Sequence, residues 1–231
     1  MSDLNQKQIL IVGATGAFGA EFARQLTGAG ASILGTASSA ESSARLAPNL
    51  AGRFLLDLNS EESIAALATY LLETNTKIDG VILASGLVAF GNIVETPAWV
   101  SSKLHQVNAV GQISLISKIL PALQESAASE NEPFVVSLSG VIAEMPMAGL
   151  SSYSASKTAL KGFADAASKE LRKAGIRWVD ARPGHTESGL ATRAIFGQAP
   201  NFGAGKSVPE VISRIVAAIK EDEKDLPSSA F

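Results

Sequence analysis

The chain has 231 residues, 46% of them apolar and 18% charged, with a net charge of −3. That size and balance fit one well-buried core and exclude general disorder. The slight acidity, with no basic stripe interleaved with aromatics, excludes a nucleic-acid backbone as partner.

There is no cysteine, and His105 and His185 are far apart, so neither a disulfide framework nor a metal site is expected. The first eight residues are polar and lack the apolar stretch of a signal peptide. No run approaches the length that spans a bilayer, so the expectation is a soluble, cytoplasmic protein without membrane partners.

Short apolar strands alternate with amphipathic helices. Residues 9–12, Ile-Leu-Ile-Val, read as a fully buried strand that stops at Gly13. A helix over about 17–26 follows, closed by Gly28 and Gly30. Strands are expected at 32–35 and 53–56, then a helix capped by Ser60 with Ile64, Leu67 and Leu71 on its apolar face. A fourth strand covers 80–84 and a fifth 133–138, the latter flanked by long helices over about 97–124 and 151–174. A sixth strand, 176–181, ends at Pro183-Gly184, and a last helix over about 209–220 carries Val211, Ile212, Ile215, Val216 and Ile219 on one face. Residues 224–231 read as either a short edge strand or a loose tail.

Strands separated by helix-length segments need right-handed crossovers, which build a parallel sheet. The fold class expected is therefore α/β: a single-domain, Rossmann-type doubly wound sheet of six to seven strands over residues 1–231. The aperiodic segment 189–207 is expected to form a mobile lid over substrate.

The run Gly13-Ala14-Thr15-Gly16-Ala17-Phe18-Gly19 lies between the first strand and the first helix. Glycines there permit a tight turn and close approach of a pyrophosphate, and the helix start supplies free amide donors. After the second strand, a carboxylate would bind a ribose 2′-hydroxyl and repel a 2′-phosphate. This chain has Gly35-Thr36-Ala37-Ser38-Ser39 instead, neutral and hydroxyl-rich, so NADP(H) is favoured over NAD(H). Thr36 and Ser38 are the candidate contacts, and Arg45 is either a phosphate partner or a solvated helix residue.

Tyr153 and Lys157 stand four residues apart in Ser-Ser-Tyr-Ser-Ala-Ser-Lys, which puts both on one face of a helix. An ammonium beside a phenol favours the phenolate and makes the tyrosine a proton donor and acceptor near neutral pH.

With these features in this order, the chain resembles the short-chain dehydrogenase/reductase family from about residue 7 to about 218, with a run after the second strand similar to bacterial NADPH-dependent ketoacyl reductases. The resemblance implies that Asp57 and Leu58 contact the adenine and that Ala84-Ser85-Gly86 lines the cofactor. It implies further that Pro183, Gly184, Thr186 and Ser188 cradle the nicotinamide carboxamide. It implies a catalytic set of Asn108, Ser139, Tyr153 and Lys157. Tyr153 would exchange a proton with a substrate carbonyl oxygen, Ser139 would hold that oxygen, Lys157 would lower the tyrosine pKa and bind the nicotinamide ribose, and Asn108 would hold a water.

Three departures stand out. Ala17 replaces the usual middle glycine, and Val12 replaces a threonine that supports the turn. Ser139 lies fourteen residues before Tyr153, whereas the family commonly has thirteen, a place taken by Gly140; Ser139 is preferred because a loop absorbs one residue easily. Leu87, Phe90, Met145, Met147, Phe196 and Phe202 fall on loops at the carboxyl ends of the strands, as an apolar substrate pocket or as ordinary core.

The function expected is interconversion of a carbonyl and an alcohol on a small, fairly apolar substrate by hydride transfer. The competing reading is a nucleotide-binding or sensing protein of the same fold with little turnover. The long helices around Asn108 and Tyr153 match those that form a dimer interface in the family, so a homodimer or homotetramer is expected.

Overall fold

Runs of branched aliphatic residues without polar alternation make strands that are buried on both faces. In the computed structural model, which describes residues 3–231, such runs dominate β1 (Gln8–Val12), β2 (Ser32–Ala37), β4 (Gly80–Leu83), β5 (Phe134–Leu138) and β6 (Arg177–Ala181), whereas the edge strand β3 (Gly52–Leu55) alternates half-buried and exposed residues. A two-residue β7, Asp225–Leu226, pairs with the outer side of β6, so the C-terminal segment supplies an edge strand. All pairings are parallel, in the order β3-β2-β1-β4-β5-β6-β7.

Strand order runs outward in opposite directions from β1 and β4. A crevice therefore opens between their carboxyl ends, where the crossovers leave toward opposite faces.

One face of the sheet is covered by α1 (Ala17–Gly28) and α7 (Val208–Lys220), which pack on Ile9, Ile11, Ile82, Val136 and Val179. The buried stripe of α7 is Val211, Ile212, Ile215, Val216 and Ile219, the spacing expected of an amphipathic helix. The other face carries α3 (Glu61–Glu73), α5 (Gly111–Ala128) and α6 (Ser151–Leu171), packed on Leu10, Val81, Leu83, Val135 and Trp178. Ser60 caps α3 by accepting from the Ser63 amide at 3.1 Å. A short α2 (Ala40–Ser43) follows β2. Among the described residues, no helix is long and apolar enough to cross a membrane.

The helix expected over 97–124 is in fact α4 (Ala98–His105) and α5, joined by one π turn, Gln106–Val110. Periodicity does not register a π turn, because it adds a residue without breaking the helix. Here the turn brings Gly111 so close to the Leu58 carbonyl that any Cβ would overlap it. Asn108 sits at the centre of this turn.

Candidate active site

The turn after β1 is built by glycine and threonine. Gly13 has φ +85°, and a Cβ there would overlap Ser85 at the end of β4. A Cβ on Gly19 would overlap the Gly13 carbonyl, whereas one on Gly16 would meet only that carbonyl at 3.5 Å. The required glycines are therefore 13 and 19. Gly16 is the N-cap of α1, which has no side-chain cap bond and no acid in its first turn. Its leading amides face the crevice without a side-chain acceptor, and this matches the anionic bridge of a dinucleotide. Thr15, Ala17 and Phe18 are half-buried around this cradle.

Val12 does leave the turn without a threonine, but Thr36 takes its place. Its Oγ1 accepts from the Gly13 amide at 3.0 Å, and its carbonyl accepts from Ala14 at 3.0 Å. Thr36 is buried and braces the turn. Ser38 is exposed at the end of β2, and Ser39 caps α2 through a reciprocal pair of bonds with Ser42. Arg45 is also exposed.

Asp57 lies after β3 with Oδ1 accepting from the backbone and side chain of Asn59 at 2.9 and 2.6 Å. Burial pushes its carboxyl up, but these bonds and Lys103 bring it below the ordinary value. Leu58 is buried, and its carbonyl accepts from Gln106 Nε2 at 3.0 Å.

Ala84, Ser85 and Gly86 lead out of β4 and join the two ends of the site. Ser85 touches the glycine turn, while the open side of Gly86 faces Lys157 Nζ and Asn108 Oδ1, at 3.4 and 3.5 Å from where a Cβ would stand. A side chain at Gly86 would fill the space between turn and helix. Gln112, whose role the sequence did not reveal, supports this segment by donating to the Ser85 carbonyl at 3.1 Å.

Asn108 is fully buried and works as a brace. Its Oδ1 accepts from the Leu87 amide at 2.8 Å, while Nδ2 donates to the Leu87 carbonyl at 2.9 Å and to Ser156 Oγ at 3.0 Å. Both amide hydrogens are therefore used by the protein. These bonds tie the β4 exit to α6.

On α6, Tyr153 and Lys157 are one turn apart. Tyr153 is half-buried and packs between two apolar groups, one containing Val88, Phe90, Ile142 and Leu150, the other Ala89, Val100 and Leu104. Burial pushes its phenol up to about 12. Lys157 is buried and donates from Nζ to the Leu138 carbonyl at 2.7 Å. Burial pushes it down to about 8, with Asp180 opposing. Desolvation thus pushes the phenol up and the ammonium down.

Ser139 is displaced from its expected role. It is fully buried, and its Oγ donates to Asp180 Oδ2 at 2.5 Å. Gly140, with φ +73°, is half-buried, and a Cβ there would meet only the Pro183 carbonyl at 3.8 Å. The residue open to the crevice at the end of β5 is thus a glycine with no hydroxyl.

Pro183 is buried, and its carbonyl accepts from the Val141 amide at 3.0 Å. Gly184 accepts from Thr186 Oγ1 at 3.0 Å, and Ser188 Oγ accepts from the Leu190 amide at 3.4 Å. Segment 189–207 is anchored at its middle and at its base. Ile195 donates to Val88 and Phe90 to Phe196, both at 2.9 Å, and the base is closed by bonds between Lys206 and residues His185 and Glu187. Phe202 packs on Phe90 and His185, with ring centroids 6.0 and 5.1 Å apart. Leu87, Phe90, Phe196 and Phe202 thus gather around Tyr153, while Met145 and Met147 are exposed at 61% and 48% on the outer rim.

The sequence reading also missed a buried polar cluster behind the site. Arg182 is 3% exposed and donates to Asp180 Oδ2 at 3.0 Å, to Asp225 Oδ2 at 2.8 Å and to Glu144 Oε1. Burial would lower its pKa, but these carboxylates hold it raised. The only signal in the sequence was an aspartate and an arginine within the otherwise apolar run Trp-Val-Asp-Ala-Arg.

The family model described as short chain dehydrogenase matches residues 7–196. Among curated proteins, dehydrogenase/reductase SDR family member 7B of Mus musculus is 26% identical over 99% of this chain and 75% of its own length. An SDR family protein 7-like from Anopheles gambiae is 27% identical over 96% of this chain and 75% of its own length. Among solved structures, a short chain dehydrogenase from Burkholderia cenocepacia in complex with NADP has a TM-score of 0.83 at 19% identity, covering 98% of this chain and 89% of that one. A 3-ketoacyl-(acyl-carrier-protein) reductase from Brucella melitensis complexed with NADH has a TM-score of 0.86 at 20% identity, covering 98% and 99%.

Proposed function

Because the chain belongs to the short-chain dehydrogenase family and is an NAD(P)-dependent oxidoreductase, we propose that it interconverts a carbonyl and an alcohol on a small, fairly apolar substrate, using NADP(H). The observation that carries this reading is the position of Tyr153. Its protonated phenol stands in an apolar pocket, one helical turn from Lys157, and Gly86 bridges that lysine to the glycine turn.

When bound, the nicotinamide supplies the hydride. The first-turn amides of α1 and Gly13, Thr15, Gly16, Ala17, Phe18 and Gly19 hold the pyrophosphate, Asp57 and Leu58 the adenine, and Ala84, Ser85 and Gly86 the ribose side. Lys157 binds the nicotinamide ribose hydroxyls, and Pro183, Gly184, Thr186 and Ser188 hold the carboxamide. Tyr153 delivers its proton to the substrate oxygen in reduction and takes it back in oxidation. Asn108 keeps Leu87 and α6 in register. Leu87, Phe90, Phe196 and Phe202 exclude water and receive the apolar part of the substrate.

Preference for NADP(H) rests on the lack of a carboxylate after β2 and on exposed Ser38. A homodimer through α4–α6 is supported by Trp99 on α4 and Val110 in the π turn, exposed at 54% and 52%. Titration with NADPH and NADH, followed by a carbonyl panel, tests the reading. Turnover that persists undiminished in Tyr153→Phe sinks it, and light scattering that finds only monomer at micromolar concentration sinks the dimer.

A further inference from the structure

Asp180 is a carboxylate inside an apolar strand, only 4% exposed. Ser137 Oγ donates to its Oδ1 at 2.6 Å, and Ser139 Oγ and Arg182 Nη1 donate to its Oδ2 at 2.5 and 3.0 Å. Between those serines lies Leu138, whose carbonyl receives the Lys157 ammonium at 2.7 Å. Asp180 thus grips both neighbours of the carbonyl on which the lysine rests. The single Arg182 guanidinium is shared with Glu144 and Asp225, so carboxylates outnumber cations in the cluster. The other groups facing Lys157 are uncharged: Tyr153 on its own helix, Asn108 in the π turn and Gly86 after β4.

We propose that Asp180 is a positioning residue for Lys157: through Ser137 and Ser139 it fixes the Leu138 carbonyl that seats the ammonium, and its charge keeps that ammonium protonated in a buried site. The inference rests on the reading of Lys157 as a working residue of the oxidoreductase. A buried lysine without a countercharge gives up its proton readily. A carboxylate that served only to anchor Arg182 would leave the titration of Lys157 untouched.

The test is a pH titration by NMR of protein labelled with ¹³C at lysine Cε, without nucleotide, the Lys157 signal being the one lost in Lys157→Arg. In Asp180→Asn the Lys157 midpoint falls by about one pH unit or more. NADPH binding at pH 8 weakens by about fivefold or more and recovers at about pH 6, where the lysine regains its proton. An unmoved midpoint in folded Asp180→Asn overturns the proposal. Should that variant not fold, Arg182→Gln carries the test with opposite sign: removing the competing cation raises the midpoint, and a midpoint that stays or falls overturns it. Tyr153→Phe separates this inference from the functional reading. If that variant is inactive while the Asp180→Asn midpoint does not move, only the inference fails; if it turns over normally, the functional reading fails.

Discussion

The Ser139 hydroxyl donates to the Asp180 carboxylate at 2.5 Å, in the fully buried end of β5. A hydroxyl so placed supports the strand end and is not presented to a substrate oxygen. Ser139→Ala is therefore expected to lower turnover by less than about tenfold, whereas loss of a transition-state donor costs about 10²–10³. The same variant loses about 1–3 kcal/mol of stability, because Asp180 forfeits a donor. Steady-state kinetics and denaturant melts check both numbers, and a hundredfold loss of kcat with unchanged stability would return Ser139 to the carbonyl.

Thr36 and Ser38 sit two residues apart and are expected to fail differently. Thr36→Val leaves the Gly13 amide without its acceptor, costs about 1–3 kcal/mol and weakens NADPH and NADH alike. Ser38→Asp leaves the fold intact and weakens NADPH by about tenfold or more relative to NADH, through repulsion of the 2′-phosphate. Calorimetric titration with both nucleotides reads the difference.

Gly16 and Gly19 also separate. Gly19→Ala forces a methyl into the Gly13 carbonyl, and destabilisation of about 1–3 kcal/mol together with loss of nucleotide binding is expected. Gly16→Ala meets only an ordinary contact, and the poorer N-cap alone is expected to cost about 0.5–1 kcal/mol, the smaller of the two losses in a denaturant melt.

The pH dependence follows from Lys157, which burial lowers from 10.5 to about 8. Because Lys157 works as an ammonium, carbonyl reduction with NADPH declines as pH rises through about 8. Tyr153, pushed up to about 12, remains a proton donor across that range. Stability responds in the opposite direction. Between about 8 and 10.5 the unfolded chain binds a proton that the folded chain does not, so the contribution of Lys157 to stability rises with pH. Rate and stability profiles on one buffer series check both signs, and a rate that holds level to pH 10 contradicts the role given to Lys157.

The strand–helix alternation and the parallel sheet were legible in the residues themselves, because both depend on local period. Strands with no polar alternation, such as Ile9–Val12, are buried on two faces; α7 repeats its apolar residues every three or four positions. Tyr153 and Lys157 share a face for the same reason. What the chain could not show one-dimensionally was which partner each polar side chain meets, since those partners lie far away in sequence. Thr36 closes the turn at Gly13, Asn108 clasps Leu87 across the π turn, and Ser139 is claimed by Asp180 from the adjacent strand. Each of these bonds forms only once parallel strands and crossing helices bring the residues within about 3 Å, the range in which a hydrogen bond acts. Local pattern thus determined the framework and the catalytic helix face, and tertiary packing decided which hydroxyls, amides and charges remained free for chemistry.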